Sequence, residues 1–300
     1  MGTMFRIVLY DDDPSQAHIA IRAAFDRVAE LDGELSDYKP DSELNRVAVA
    51  AVGHDVPISN DLYTVLAASQ SLADRTNGAF DVTLGPVIRL WRTARRTGVL
   101  PGGDEIAAAS LRSGYRKLHV RNDGAPEIRL DIPGMQLDLG AIAKGYAADE
   151  GLRVLREHGF PQALVAASGD IAFGDAPPGQ VGWDTGVDSI NAPNESFTQV
   201  LQLHNAAIST SGDTEQFAEI DGVRYSHIVN PETGKGLTTR VGVTVVAARG
   251  IISDGLSTAA SVIAEQHGPE AALELIRQSA ARGIVVIQTD GKWLRYESPI

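Results

Sequence analysis

Apolar positions along the chain recur at two periods. In "MFRIVLY" they alternate with polar ones as in a half-buried strand, and the run stops at the turn-like "DDDPS". From Gln16 to Leu35 the spacing of Ile19, Ala23, Val28 and Leu31 is helical, with Ser15 as the expected N-cap. "SDYKPDSELNRVAVAAVGHDVPIS" predicts a loop followed by a short helix. "NDLYTVLAASQSLADRTNG" predicts a longer helix, with Asn60 near its cap and Gly78 as its stop. "GVLPGGDEIAAASLRSGYRKLHVR" reads as a short helix and then a strand, and "EIRLDIPGMQLDLG" as a hairpin turning at Pro133-Gly134.

Further along, "LDLGAIAKGYAADEGLRVLREHGF" reads as a buried strand end running into an amphipathic helix, and "QALVAASGDIAFG" as strand-loop-strand. "APPGQVGWDTGVDSINAPNES" is turn-rich and is expected to be a surface connection. "FTQVLQLHNAAISTSG" and "VGVTVVAA" predict strands. "DGLSTAASVIAEQHGPEAALELIRQS" is helical with a break near Gly268-Pro269, and "RGIVVIQTDGKWLRYE" is a closing hairpin turning at "TDGK". The chain has no repeat and no steady βαβ alternation. The expected class is therefore α+β, with residues 1–300 forming one domain or two intertwined lobes.

Composition narrows the function classes. The 300 residues are 43% hydrophobic and 22% charged, an ordinary globular balance. A net charge of -13 disfavours nucleic acid and anionic membranes, and the cluster of Arg92, Arg95 and Arg96 is too short to be a basic patch. There are no cysteines, which excludes disulfides and thiolate chemistry. No run of apolar residues is long enough to span a membrane.

Three segments place polar residues where a core would not need them. The first holds Asp138 and Lys144 at a strand-to-helix junction. A helix N-terminus there suits anions, Lys144 adds a mobile cation, and Asp138 can accept from a donor-rich ligand; the alternative is an Asp–Lys pair that only orders the junction. "GAIAKG" lacks the ending of a P-loop. The second is "ISDGLSTAAS", where Asp254 and Thr258 lie one helical turn apart. A carboxylate and a hydroxyl are hard donors suited to magnesium; alternatively Ser253 or Asp254 caps the helix and Thr258 bonds a backbone carbonyl. The third runs from Ala207 to Gly236. It contains the small polar run Ser209-Thr210-Ser211-Gly212 and then His227, which is either a ligand-facing base or donor or a satisfied structural residue. Upstream, Tyr38 sits in a loop where its ring can stack on a planar base, and Phe80 and Asp81 follow a glycine. Both are equally readable as a helix C-cap with a packed aromatic.

Taken together and in order, these segments resemble one family, the ApbE-like FAD:protein FMN transferases. "SDYKPDSELNR", "NGAFDVTLGPVIRLW", "LDLGAIAKGYAAD", "ASGDIAFG", "ISTSGD", "YSHIVNPETGKG" and "SDGLSTAASVI" carry the resemblance over nearly the whole chain. It implies a flavin-binding α+β fold, two-lobed, with FAD as substrate in a cleft and Mg2+ at its pyrophosphate. It further implies transfer of FMN to a threonine or serine hydroxyl of an acceptor flavoprotein subunit, with AMP released. By the resemblance, Asp254, Thr258 and the carbonyl of Ala141 hold the metal. Met1, Tyr38, Ala79, Phe80, Asp81, Asp138, Lys144 and His227 line the FAD site. His227 and Asp254 are the candidate catalytic groups for the acceptor proton.

The chain departs from the family pattern at Ser168-Gly169-Asp170, where members often have "GGD", and at Asn230-Pro231 with Gly236, where many have "DPxTGxP". Both departures are expected to bear on the acceptor entrance more than on FAD. Two other functions are compatible with the same residues: a magnesium-dependent FAD pyrophosphatase, and a non-catalytic flavin-binding protein. Starting at "MGT" without the lipoprotein signal of many members, the sequence as given is expected to be cytoplasmic, or membrane-anchored or periplasmic if a leader has been removed.

Overall fold

The structure, a computed structural model, describes residues 2–11, 13–187, 199–212, 217–279, 281, 285–289 and 292–296. In chain order its first half comprises β1 (Phe5–Leu9), α1 (Pro14–Leu35), α2 (Glu43–Ala50), β2 (Val56–Pro57), α3 (Asn60–Arg75), α4 (Gly85–Thr97), α5 (Gly103–Ser110), β3 (Leu118–Asn122) and β4 (Pro126–Leu130). Next come α6 (Ala143–Glu157), β5 (Ala163–Ala167), β6 (Asp170–Phe173), β7 (Trp183–Val187), β8 (Gln199–Leu203), β9 (Ala206–Ser211), β10 (Phe217–Ile220) and β11 (Val223–Ser226). The chain closes with β12 (Val229–Asn230), β13 (Lys235–Gly236), β14 (Gly242–Ala247), α7 (Gly250–His267), α8 (Pro269–Gln278), β15 (Val285–Thr289) and β16 (Lys292–Tyr296).

The main sheet runs β1-β5-β6-β9-β14-β15-β16, with every neighbouring pair antiparallel. Its central strands are apolar on both faces because both are covered. Along β5, Ala163 and Val165 pack with α1 and α6 residues such as Ala20 and Leu155. The alternate residues Leu164 and Ala166 pack with Trp183, Val187, Leu201 and Leu203 of the β7–β8 ribbon. A continuous apolar run such as "ALVAA" is what burial on both sides requires. Along β14, Val243, Val245 and Ala247 join the largest core cluster, which includes Leu256, Ala259 and Ala260 of α7.

The mixed α and β class matches the expectation, and most helices lie where the periodicity puts them. Several details differ. The cap of α1 is Asp13, not Ser15: one Asp13 carboxylate oxygen accepts from the N–H groups of Ser15 (2.9 Å) and Gln16 (3.2 Å). Ser59 caps α3 just ahead of Asn60, and Gly78, in left-handed backbone (φ 87°), donates its N–H to Ala73 O beyond the helix end. No hairpin forms at Pro133-Gly134. Strand β4 pairs with β3 instead, and the segment after Gly134 makes only a bridge, Leu84 to Gln136. The turn-rich "APPGQVGWDTGVDSINAPNES" includes strand β7, whose Trp183, Thr185 and Val187 are buried; the part from 188 on lies outside the described residues. The β15–β16 hairpin is present, and its turn residues 290 and 291 lie outside the described residues.

Candidate flavin-nucleotide site

Segment Met135–Leu139 brings the first group into place. Met135, Leu137 and Leu139 point into the core, so the intervening Asp138 points the other way, into a cavity of about 810 Å³. The segment is pinned by Asp138 N–H donating to Val82 O at 2.8 Å. Asp138 is 7% exposed and does not pair with Lys144. Its Oδ1 accepts from Gly140 N–H at 2.8 Å and its Oδ2 accepts from Arg92 at 2.6 Å. Arg92 also pairs with Asp37, and its guanidinium lies 4.2 Å from the centre of the Tyr38 ring. Burial raises the Asp138 pKa, and the nearby Asp37 carboxylate adds to this, while Arg92 and the Gly140 N–H oppose it.

Lys144 sits in the first turn of α6 and is a fixed cation rather than a mobile one. Its Nζ donates to Asp254 Oδ1 (3.0 Å), Asp254 Oδ2 (3.1 Å) and Gly140 O (3.0 Å), and lies 2.9 Å from Asp170 Oδ2. Burial works to lower its pKa, but Asp254 and then Asp170 outweigh this and hold it above the ordinary lysine value. Asp254 is 2% exposed. Burial, and next the Asp170 carboxylate, push its pKa up to about 7 against the pull of Lys144 and the Gly145 N–H. Two buried carboxylates thus face one ammonium, which leaves the cavity floor with excess negative charge.

Helices α6 and α7 must touch for this to happen. A Cβ on Gly145 would sit 2.1 Å from Gly250 O, and one on Gly250 would sit 2.3 Å from Gly145 O, so only glycine permits the crossing. At that contact the Gly145 N–H donates to Asp254 Oδ2 at 2.9 Å. Asp149, one turn further along α6, caps α7 by accepting from the N–H groups of Gly250 (2.6 Å) and Ile251 (3.1 Å). Helix α7 therefore begins at Gly250, and Asp254 and Ser253 lie inside it rather than capping it. Thr258 follows one turn after Asp254, and its hydroxyl lies 3.2 Å from Ser211 Oγ. Serines of the Ser209-Thr210-Ser211-Gly212 run tie β9 to α7, with Ser209 to Ser253 at 2.8 Å and Ser211 to Ser257 at 2.7 Å. This run braces the helix as well as lining the cavity.

On the far wall, Asp81 accepts from Thr83 N–H (2.7 Å), Thr83 Oγ1 (2.6 Å) and Tyr115 N–H (3.0 Å). Burial raises its pKa, and those donors, the Thr83 hydroxyl foremost, oppose the shift. Buried Ala79 and Phe80 precede it, and exposed His227 follows β11 at the rim.

This cavity is lined by Tyr38, Ala79, Phe80, Asp81, Asp138, Ala141, Lys144, His227, Asp254 and Thr258. Met1 lies outside the described residues. Sequence reasoning misses Asp170, and it reads Arg92 only as part of a cluster too short to be a basic patch, whereas Arg92 lies among these groups. Among the described residues no three His, Cys, Asp or Glu side chains cluster as a metal site. A carboxylate and a hydroxyl from one helix turn, over a negatively charged floor, fit a hard divalent cation that takes its remaining ligands from waters and a substrate phosphate.

Comparison with known proteins places the chain in a family. The sequence model of the ApbE family matches residues 1–284. A FAD:protein FMN transferase of Klebsiella pneumoniae is 31% identical over 310 residues, covering 100% of this chain and 85% of the relative. One from Treponema pallidum is 32% identical, covering 93% and 80%. The solved ApbE protein of Thermotoga maritima superposes with a TM-score of 0.86 at 26% identity, covering 99% of this chain and 94% of that one. The flavin transferase ApbE of Vibrio cholerae gives 0.84 at 29%, with the same coverage. With the family model matched over residues 1–284 and the whole fold shared with solved members, the chain belongs to the ApbE family.

Proposed function

We propose that this protein transfers the FMN portion of FAD to a threonine or serine hydroxyl of a partner protein, forming a phosphoester and releasing AMP, with Mg2+ at the pyrophosphate. The observation that carries the reading is that one cavity gathers a buried carboxylate, Asp254, a half-buried hydroxyl one turn on, Thr258, a lysine, and an aromatic and carboxylate wall. That combination suits a dinucleotide with a planar ring at one end and a charged pyrophosphate in the middle.

In this reading Asp254, Thr258 and the carbonyl of Ala141 hold the metal, which when bound neutralises charge on the transferring phosphoryl group. Lys144 adds positive charge beside the same oxygens. Tyr38, the Ala79-Phe80-Asp81 wall and Asp138 orient the nucleotide, with Arg92 holding Asp138 and Tyr38 in place. The acceptor oxygen bonds to the FMN phosphorus as the bond from that phosphorus to the AMP oxygen breaks, and the acceptor proton leaves to a base. His227, which lines the cavity and is exposed, and Asp254, whose oxygens accept from Lys144 and Gly145 N–H, are the candidate bases. Positioning and charge stabilisation are the larger contributions.

The test is AMP release from FAD with MgCl2 and an acceptor peptide that contains one threonine among small residues. Asp254→Ala and Thr258→Val should each lose most of the rate, with FAD still bound. Variants that release AMP at the wild-type rate would overturn the assignment of these two residues.

A further inference from the structure

Asp170 has no part in the reading above, yet it is the second carboxylate on Lys144. It is delivered by a two-residue turn, Ser168-Gly169, between β5 and β6, in which Ser168 adopts left-handed backbone (φ 58°). A non-glycine residue there is strained, and such strain collects at functional sites. The Asp170 side chain is 6% exposed, lines the cavity, and reaches Lys144 Nζ at 2.9 Å.

Lys144 donates to both oxygens of Asp254, at 3.0 and 3.1 Å. A metal using that carboxylate must compete with the ammonium. A lysine with no second carboxylate would keep only the neutral Gly140 carbonyl (3.0 Å), and the metal would bind against the full strength of a buried ion pair. Asp170 offers the alternative partner within reach, with no new charge to bury. We propose that Asp170 is a positioning residue that takes Lys144 over from Asp254 when a divalent cation binds, keeping the lysine in the cavity beside the substrate phosphates. This rests on the assignment of Asp254 as a metal ligand.

The inference is tested by isothermal titration of Mg2+ into FAD-saturated wild type, Asp170→Asn, Lys144→Met, the double variant and Asp254→Ala. Asp170→Asn is expected to weaken Mg2+ by about ten- to a hundredfold, the range of outer partners of metal ligands. In the Lys144→Met background the same change should have little effect, because Asp170 acts through the lysine. An equal loss in both backgrounds would make Asp170 a direct ligand or field source and would overturn the proposal. So would an unchanged or tighter affinity in Asp170→Asn. Asp254→Ala separates the two levels: undiminished Mg2+ binding in that variant, or none in the wild type, overturns the metal assignment itself and the proposal with it. Should Lys144→Met fail to fold, the Mg2+ dependence of turnover in Asp170→Asn decides. The proposal requires a higher half-saturating Mg2+ with the wild-type kcat regained at saturation. A kcat lowered at every Mg2+ concentration would contradict it.

Discussion

At the scale of single residues, the chemistry at the cavity is set by burial working against pairing. Asp81 shows the consequence most simply. Its carboxyl binds a proton more tightly in the folded protein than at its ordinary value of 3.8. Between that value and the raised one the unfolded chain holds fewer protons, so this group's contribution to stability is full below 3.8 and is lost as pH rises through the raised pKa. Asp81→Asn removes the titration. The wild type minus variant difference in unfolding free energy, measured by urea denaturation, should therefore shrink from mildly acidic to neutral pH. A difference that grows over that range would contradict this.

Much of the site was legible in the sequence at this scale, because Asp254 with Thr258, and Asp138 with Lys144, each lie within one short segment. Asp170 and the role of Arg92 were not. The contacts of Lys144 with Asp170 and Asp254, and of Arg92 with Asp37 and Asp138, join residues far apart in the chain. No spacing rule reports such pairs. The alternative of an Asp138–Lys144 pair is decided by the same long-range partners: each is paired elsewhere, and not with the other.

At the scale of elements, the crossing of α6 and α7 is what places Asp254 against Lys144. Gly145→Ala puts a methyl group 2.1 Å from Gly250 O and 2.8 Å from Asp254 Cβ, where backbone has to move. It should cost about 1–3 kcal/mol of stability, the range for overpacking, and should weaken Mg2+ in parallel. Gly33→Ala in α1 is the contrast. Nothing lies within 4 Å of its new methyl group, and it should gain up to about 1 kcal/mol from helix propensity. Thermal denaturation of the two variants checks both signs.

Periodic helices such as α1 and α3 were readable because one apolar stripe faces the core in each. Helix α4 was not. It opens at Gly85-Pro86, which reads as a breaker, although proline near the first helical position is favourable. The false hairpin has a related cause. Alternation at Met135, Leu137 and Leu139 is real and buries those residues, but the core receives them as an extended segment without a ladder. Alternation reports a buried face, and leaves open whether a strand partner supplies the hydrogen bonds.

At the scale of the whole molecule, the main sheet and its covering helices are held by large apolar clusters of which only some members, such as Ala143 and Ile208, also line the cavity. Lys144 already offsets part of the charge there. Removal of divalent cations with EDTA should therefore stop AMP release and leave the far-ultraviolet circular dichroism spectrum unchanged. Loss of that spectrum would mean that the metal is part of the fold.

Transfer to a protein is the central claim, and the mass of the acceptor tests it most directly. Purified protein, FAD and MgCl2 are incubated with a peptide that bears one threonine among small residues, and with the same peptide carrying alanine there. The account predicts that the threonine peptide gains the mass of FMN less water, with an equal amount of AMP released. The alanine peptide should remain unchanged, and Asp254→Ala should label neither. Equal amounts of AMP and free FMN, with both peptides unmodified, would contradict it and make the site a hydrolase.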